Sequence, residues 1–212
     1  MAGQRTGTAT LAAMTTLRIL MVRHGQSEWN ARGRWQGQAD PPLSPLGREQ
    51  AARAAMRIAT LSRFDAVVSS DLMRAHHTAR LIAQELGVED VHVDARLREN
   101  HAGEWQGLTH AEIERDWPGY LDAGRRPPAF EDPSAVLERT NAAISDLADR
   151  HLGGGIVIVS HSGTIRTLVR SVTGRGPRLA NLAGVWLHWQ GGDLVVGDEV
   201  HPLADETFTA VE

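Results

Sequence analysis

Leu17-Arg18-Ile19-Leu20-Met21-Val22-Arg23-His24-Gly25-Gln26-Ser27-Glu28-Trp29-Asn30 is the stretch from which the architecture can be read. Its apolar run from Ile19 to Val22 is unbroken, the pattern of a strand buried on both faces. It stops abruptly on a cation, an imidazole and a glycine. Ligands of open α/β sheets bind in the crevice outside the carboxyl ends of the strands, so Arg23 and His24 stand where a small anion would be received. Gly25 lets the backbone turn sharply or approach that ligand closely. Asn30 offers the same crevice a donor and an acceptor.

The remaining chain supplies the partners of this strand. Residues 31–42 are rich in Gly, Pro and polar side chains and are expected to wrap over the strand end. A helix is expected from Pro45, with Ser44 as its N-cap, to about Leu61. Residues 64–70 read as a second strand, followed by a helix opening at Asp71 and closed by Gly87. Residues 91–93 form a short third strand. Thr109 and Glu112 make a capping box for a helix reaching Trp117. Residues 118–133 lack a period and read as a mobile connection or lid. A long helix covers residues 134–152, ended by Gly153-Gly154-Gly155. A second continuous apolar run, Ile156-Val157-Ile158-Val159, ends in Ser160-His161-Ser162-Gly163, with a helix expected over residues 164–172. Residues 185–189 and 194–196, joined by Gly191-Gly192-Asp193, read as a hairpin at the sheet edge. Strands alternating with helices predict an α/β three-layer sandwich: a mainly parallel central sheet with helices on both faces.

Composition narrows the function classes. The chain has 212 residues, enough for one large α/β domain, expected over residues 17–212. Hydrophobic residues make up 42 % and charged residues 23 %, the balance of a soluble protein, and no apolar segment has the length of a membrane span. The formal net charge of -4 argues against a general nucleic-acid binder, so any positive site must be local. Cysteine is absent, which excludes disulfides and thiolate chemistry and fits a reducing cytoplasm. Residues 1–16 are small and polar, with no sustained apolar core of a secretory signal, and read as a disordered tail in which Met14 is a candidate start.

Three strands therefore deliver Arg23-His24, Arg74 and His161 just beyond their carboxyl ends, and a loop can deliver Glu99. Guanidinium forks and an imidazole suit the non-bridging oxygens of a phosphoryl group. Helix N-termini near Arg74 and after Gly163 are expected to add backbone amides to that clamp. No Asp-rich metal cluster is apparent, so the expected chemistry needs neither metal nor cofactor. A neutral His24 can take the phosphoryl group covalently. Glu99 then protonates the departing alkoxide and later accepts a proton from the attacking water.

These residues carry a resemblance. Arg23-His24-Gly25 with Ser27 and Asn30, Ser70 with Arg74 and Thr78-Ala79, Leu97-Arg98-Glu99 with residues 103–108, and Ser160-His161-Ser162-Gly163 resemble the histidine phosphatase superfamily, in its phosphoglycerate-mutase-like branch. The resemblance implies a phosphoglycerate-mutase-like fold, His24 as the phosphohistidine, Glu99 as proton donor, and Arg23, Arg74 and His161 as phosphate ligands. It implies that Asn30 and Gln36 complete the pocket, with Gly37 and Ser162 also at the substrate. Within the branch, residues 98–113 look most like the actinobacterial glucosyl-3-phosphoglycerate phosphatases. Two departures stand out: Phe130-Glu131-Asp132 replaces a GES-like element before the long helix, and Ser162 stands where glycine is common.

The expected activity is metal-independent hydrolysis of a small phosphomonoester, with a bisphosphate-dependent phosphoglycerate mutase as the rival enzyme and a non-catalytic phosphate-binding module as the rival of another class. Arg125-Arg126 are candidates for a substrate carboxylate or a solvated charge pair. Trp29, Trp35 and Trp105 are candidates for the pocket wall or for packing. His76 and His77, adjacent on a helix, point apart and are poor metal ligands. The edge hairpin bearing Trp186, Leu187 and Trp189 suggests a homodimer.

Overall fold

The structure is a computed structural model that describes residues 16–204. The expected N-terminal tail lies outside the described residues except for Thr16, which is the first residue of strand β1 (Thr16–Arg23). Side chains of β1 alternate between the two faces of the sheet: Leu17, Ile19 and Met21 enter the apolar layer on one face, while Leu20 and Val22 enter the layer on the other. This period of two buries the whole apolar run, and each such side chain contributes about 1.5–3 kcal/mol.

The sheet has six strands in the order β3-β2-β4-β1-β5-β6. Strands β2 (Ala66–Ser69), β3 (Val91–Val93) and β4 (Gly155–Ser160) run parallel to β1, whereas β5 (Gly184–Gln190) and β6 (Asp193–Val200) form the expected antiparallel hairpin at one edge. Helices α2 (Pro45–Leu61) and α3 (Met73–Leu86) cover one face through Ala55, Ile58, Ala75, Ala79 and Ile82. Helices α5 (Pro133–His151) and α6 (Ser162–Thr173) cover the other through Ala143, Ile144, Leu147, Ile165 and Leu168. This is the three-layer sandwich with a mainly parallel sheet. Two short α-helices, α1 (Glu28–Ala31), which converts the expected loop around Asn30 into a turn capped by Ser27, and α4 (His110–Asp116), and two 3-10 turns, Ala95–Leu97 and Gly103–Trp105, complete the chain order among the described residues.

Local signals behave as their chemistry requires. Ser44 Oγ accepts the Gly47 N–H at the start of α2, and Thr109 and Glu112 form the capping box of α4. Gly87 closes α3 in the left-handed conformation. Helix α3 starts two residues later than expected because Ser70 Oγ takes the Leu72 N–H and holds the intervening turn. Residues 118–133 contain no regular helix or strand before α5 begins, but Ala102 and Phe130 form a bridge that ties this connection to the loop after Glu99. In the edge hairpin, Leu187 is fully buried and Trp186 stacks on Phe64 with ring centroids 5.8 Å apart, so these side chains serve the core.

The topology positions the site. Strand β4 lies between β1 and β2, and the register pairs Arg23 with Ser160. The next residue on each strand is a histidine, so His24 and His161 emerge side by side with ring centroids 5.1 Å apart.

Candidate active site

Gly25 follows His24 where a backbone must pass close to another. A Cβ there would lie 2.7 Å from the Gly47 carbonyl oxygen, so the close approach is to the first turn of α2 and not to a ligand. The Gly25 N–H donates to Thr78 Oγ1, and Asn181 Nδ2 donates to the His24 carbonyl at 2.9 Å. Asn181 escaped the sequence reading because it belongs to an irregular segment 157 positions away in the chain.

The His24 ring is 2 % exposed. Its Nδ1 lies 2.7 Å from the Gly25 carbonyl oxygen, which can only accept, so Nδ1 carries the proton and Nε2 keeps its lone pair. Burial, followed by the charges of Arg74 and Arg23, pushes its pKa well below the ordinary histidine value. The neutral ring therefore presents a nucleophilic nitrogen.

Arg74, the second residue of α3, is fully buried. Its Nε donates to His24 Nε2 at 3.3 Å, and its two terminal nitrogens donate to the carbonyls of Ala39 and Gly37. Burial lowers its pKa to about 10, which leaves it charged at neutral pH. Arg23 donates from Nη1 to the Leu179 carbonyl, and its buried Nε has no partner. His161, fully buried behind His24, bonds Ser70 Oγ through Nε2, and its Nδ1 is likewise without a partner. Burial and the charge of Arg74 push its pKa well below the ordinary value too. Neither Arg23 nor Arg74 forms an ion pair with a carboxylate among the described residues. Shielded charge of this kind calls for an anion.

Arg23, His24, Arg74 and Glu99 open onto a cavity of about 740 Å³, which Asn30, Gln36, Gly37 and Ser162 also line. His161 does not line it. Gln36 Oε1 accepts a hydrogen bond from Ser27 Oγ, and Asn30 Oδ1 accepts the Ser27 N–H, so both are pre-oriented by the cap of α1. Glu99 is seated at the start of α6: its Oε2 accepts the Gly163 N–H at 3.0 Å, and its Oε1 accepts the N–H groups of Asn100 and Thr164. The amides expected to hold phosphate are thus occupied by Glu99. At α3 the same holds, where Asp40 takes the Met73 N–H at 2.7 Å.

Around the outer cavity stand Arg34, Arg126, Arg166 and Arg170, and Glu99 is the one acidic side chain in the lining among the described residues. Arg126 lies over the rings of Trp105 and Phe130, while Arg125 leaves the cavity and stacks on Tyr120. Trp35 lines the cavity; Trp105 is fully buried beneath it, edge-on at 5.1 Å. Arg166 and Arg170 come from α6 and lacked a sequence signal, because on a helix they read as solvated charge. No cluster of three or more His, Asp or Glu side chains suited to a metal is present among the described residues.

Fold and site together define a phosphoglycerate-mutase-like α/β/α protein whose buried histidine faces an arginine-lined cavity. The family model of the histidine phosphatase superfamily (branch 1) matches residues 19–195. A glucosyl-3-phosphoglycerate phosphatase of Mycolicibacterium vanbaalenii is 39 % identical over 173 residues, covering 76 % of each chain. The phosphoglycerate mutase-like protein 4 of Arabidopsis thaliana is 38 % identical over 157 residues, covering 71 % of this chain and 68 % of its own. Among solved structures, a mycobacterial glucosyl-3-phosphoglycerate phosphatase in complex with VO3 superposes with a TM-score of 0.73 at 35 % identity, covering 80 % of this chain and 90 % of that one. The chain belongs to the histidine phosphatase superfamily and is a phosphatase.

Proposed function

We propose that this phosphatase hydrolyses a small phosphomonoester without a metal, through a phosphohistidine on His24. The observation that carries the reading is the pair of shielded guanidiniums of Arg23 and Arg74, neither in an ion pair with a carboxylate among the described residues, beside the unprotonated Nε2 of His24. His24 Nε2 attacks phosphorus, forming the N–P bond as the ester P–O bond breaks. Arg23 and Arg74 take the charge on the non-bridging oxygens, while His161, buried behind His24 with its Nδ1 unpartnered, backs the nucleophilic ring. Protonated Glu99 gives its proton to the leaving alkoxide. As carboxylate it then accepts a proton from the water that attacks phosphorus and breaks the N–P bond, which restores His24 and releases phosphate.

The outer arginines support a finer reading of the leaving group. Arg126, Arg166 and Arg170 face the cavity with no acidic partner among the described residues, which favours a leaving group bearing its own anion. Glucosyl-3-phosphoglycerate combines a phosphomonoester, a carboxylate and a sugar, and relatives carry its name, so it is the first substrate to test. Incubation with it, with 3-phosphoglycerate and with sugar phosphates should release inorganic phosphate, and His24→Ala should form no phosphoenzyme. Formation of 2-phosphoglycerate stimulated by a bisphosphate primer would instead identify a mutase. Phosphate binding with no turnover of any ester, aryl phosphates included, would identify a binding module.

A further inference from the structure

The backbone that carries Glu99 leaves a single 3-10 turn (Ala95–Leu97) and is irregular at Arg98 and Glu99, so its carbonyls must find donors outside a regular ladder. Side chains supply them. The Arg139 guanidinium, projecting from α5, donates from Nη1 to the carbonyls of Arg96 at 2.6 Å and Arg98 at 2.7 Å, and from Nη2 to that of Glu99 at 3.2 Å. Ser160 Oγ holds the intervening Leu97 carbonyl at 2.8 Å. The same guanidinium closes a fork onto Glu131, with Nε 2.8 Å from Oε1 and Nη2 3.1 Å from Oε2. Glu131 in turn accepts the His101 N–H at 2.9 Å. Both partners are largely shielded, at 18 % and 17 % side-chain exposure, so this ion pair is better protected from solvent screening than surface pairs are.

We infer that Arg139, locked by Glu131, is a positioning residue for Glu99. The inference rests on the proton-transfer role proposed for Glu99. Arg139 does not line the cavity and makes no hydrogen bond to Arg23, Arg74 or His161, although its charge is felt at His161; its bonds go to the backbone before and at Glu99, while Glu131 fixes His101 two residues beyond. The carboxylate is aimed by the first turn of α6, and the backbone beneath it is anchored to α5. The two anchors fix the carboxylate's place relative to His24. A planar fork with five donors can serve several carbonyls and a carboxylate together, which a lysine cannot do. Within Phe130-Glu131-Asp132, Glu131, the one residue this segment shares with a GES-like element, supplies the lock, and Asp132 caps α5 by accepting the Ser134 N–H.

A loosened Glu99 should impair proton delivery to a poor leaving group and spare a good one. The test is the rate of the first turnover in rapid-mixing experiments with two esters: 3-phosphoglycerate, whose alkoxide needs a proton, and 2,4-dinitrophenyl phosphate, whose phenolate does not. Arg139→Met is expected to slow the first turnover of the alkyl ester about 10²-fold, the scale of a misplacement of roughly 1 Å, and that of the aryl ester less than about threefold. Arg139→Lys should restore little of the loss. Glu131→Gln, which keeps the shape of the lock, should show a smaller loss with the same preference and serves if Arg139→Met fails to fold. Equal losses on both esters, or none on the alkyl ester, would overturn the inference. Glu99→Gln distinguishes the two levels: if it fails to discriminate between the esters, the acid role of Glu99 falls and this inference with it; if it discriminates and the Arg139 and Glu131 variants do not, only the positioning role falls.

Discussion

Lowering the pH from 7 to 5 should destabilise this protein through two rings that have almost no contact with solvent. His24 is 2 % and His161 0 % exposed, and burial followed by the nearby Arg74 charge holds each well below the ordinary histidine pKa. In the unfolded chain both titrate near 6.5. Below that value the unfolded state binds protons that the folded state refuses, so stability is fully present above about pH 6.5 and is lost as the pH falls toward the folded-state values. The limiting slope is about 1.4 kcal/mol per pH unit for each ring and about 2.7 kcal/mol for both. Carboxylates contribute in a lower window: Asp71, hydrogen-bonded to Arg98, and Glu131, where the Arg139 and His101 bonds outweigh burial, both titrate below their usual range. Urea unfolding at half-unit steps from pH 7.5 to 5 measures the slope directly. His161→Gln should roughly halve it. A stability that stays flat between pH 6.5 and 5 would show that the folded rings take up protons as readily as the unfolded ones, and the depressed pKa of the two rings would lose its basis. The same shift predicts that the acid limb of kcat/KM lies below pH 6.5.

Two substitutions probe the frame around the site. A Cβ at residue 163 would stand 2.5 Å from Glu99 Oε1 and collide with Asn100 Oδ1, so Gly163→Ala should displace the carboxylate and lower kcat by roughly two orders of magnitude with little change in stability; unaltered kcat would refute the seating of Glu99 on α6. Trp105 is fully buried among Trp35, Trp117 and Phe130, so Trp105→Ala should cost about 3–5 kcal/mol in urea unfolding, and a loss under about 1 kcal/mol would refute its place in the core.

Much of the architecture was legible because local chemistry and burial agree. The two apolar runs before His24 and His161 are strands buried on both faces, and such strands need no alternation of polar residues. The caps Ser44 and Thr109 and the closing Gly87 mark helix ends through bonds made within a few residues. Less legible were the partners that arrive from far along the chain. Asn181 reaches the His24 carbonyl from an irregular segment, and Arg139 reaches the Glu99 backbone from a helix where it resembles any solvated charge. The helix amides near Arg74 and Gly163 show the converse. Sequence identified them as donors, yet only the fold could show that Asp40 and Glu99 already occupy them.

Arg23-His24-Gly25 at the end of a buried run carries the type of chemistry within the sequence itself, since residue identity sets which groups can bind an anion or attack phosphorus. What only the tertiary structure decided is the state of those groups. The pairing of Arg23 with Ser160 brings His161 beside His24, the Gly25 carbonyl selects the tautomer, and burial with Arg74 keeps the ring neutral. Protonation, tautomer and orientation depend on distances between residues remote in the chain, and those distances exist only once the sheet has formed.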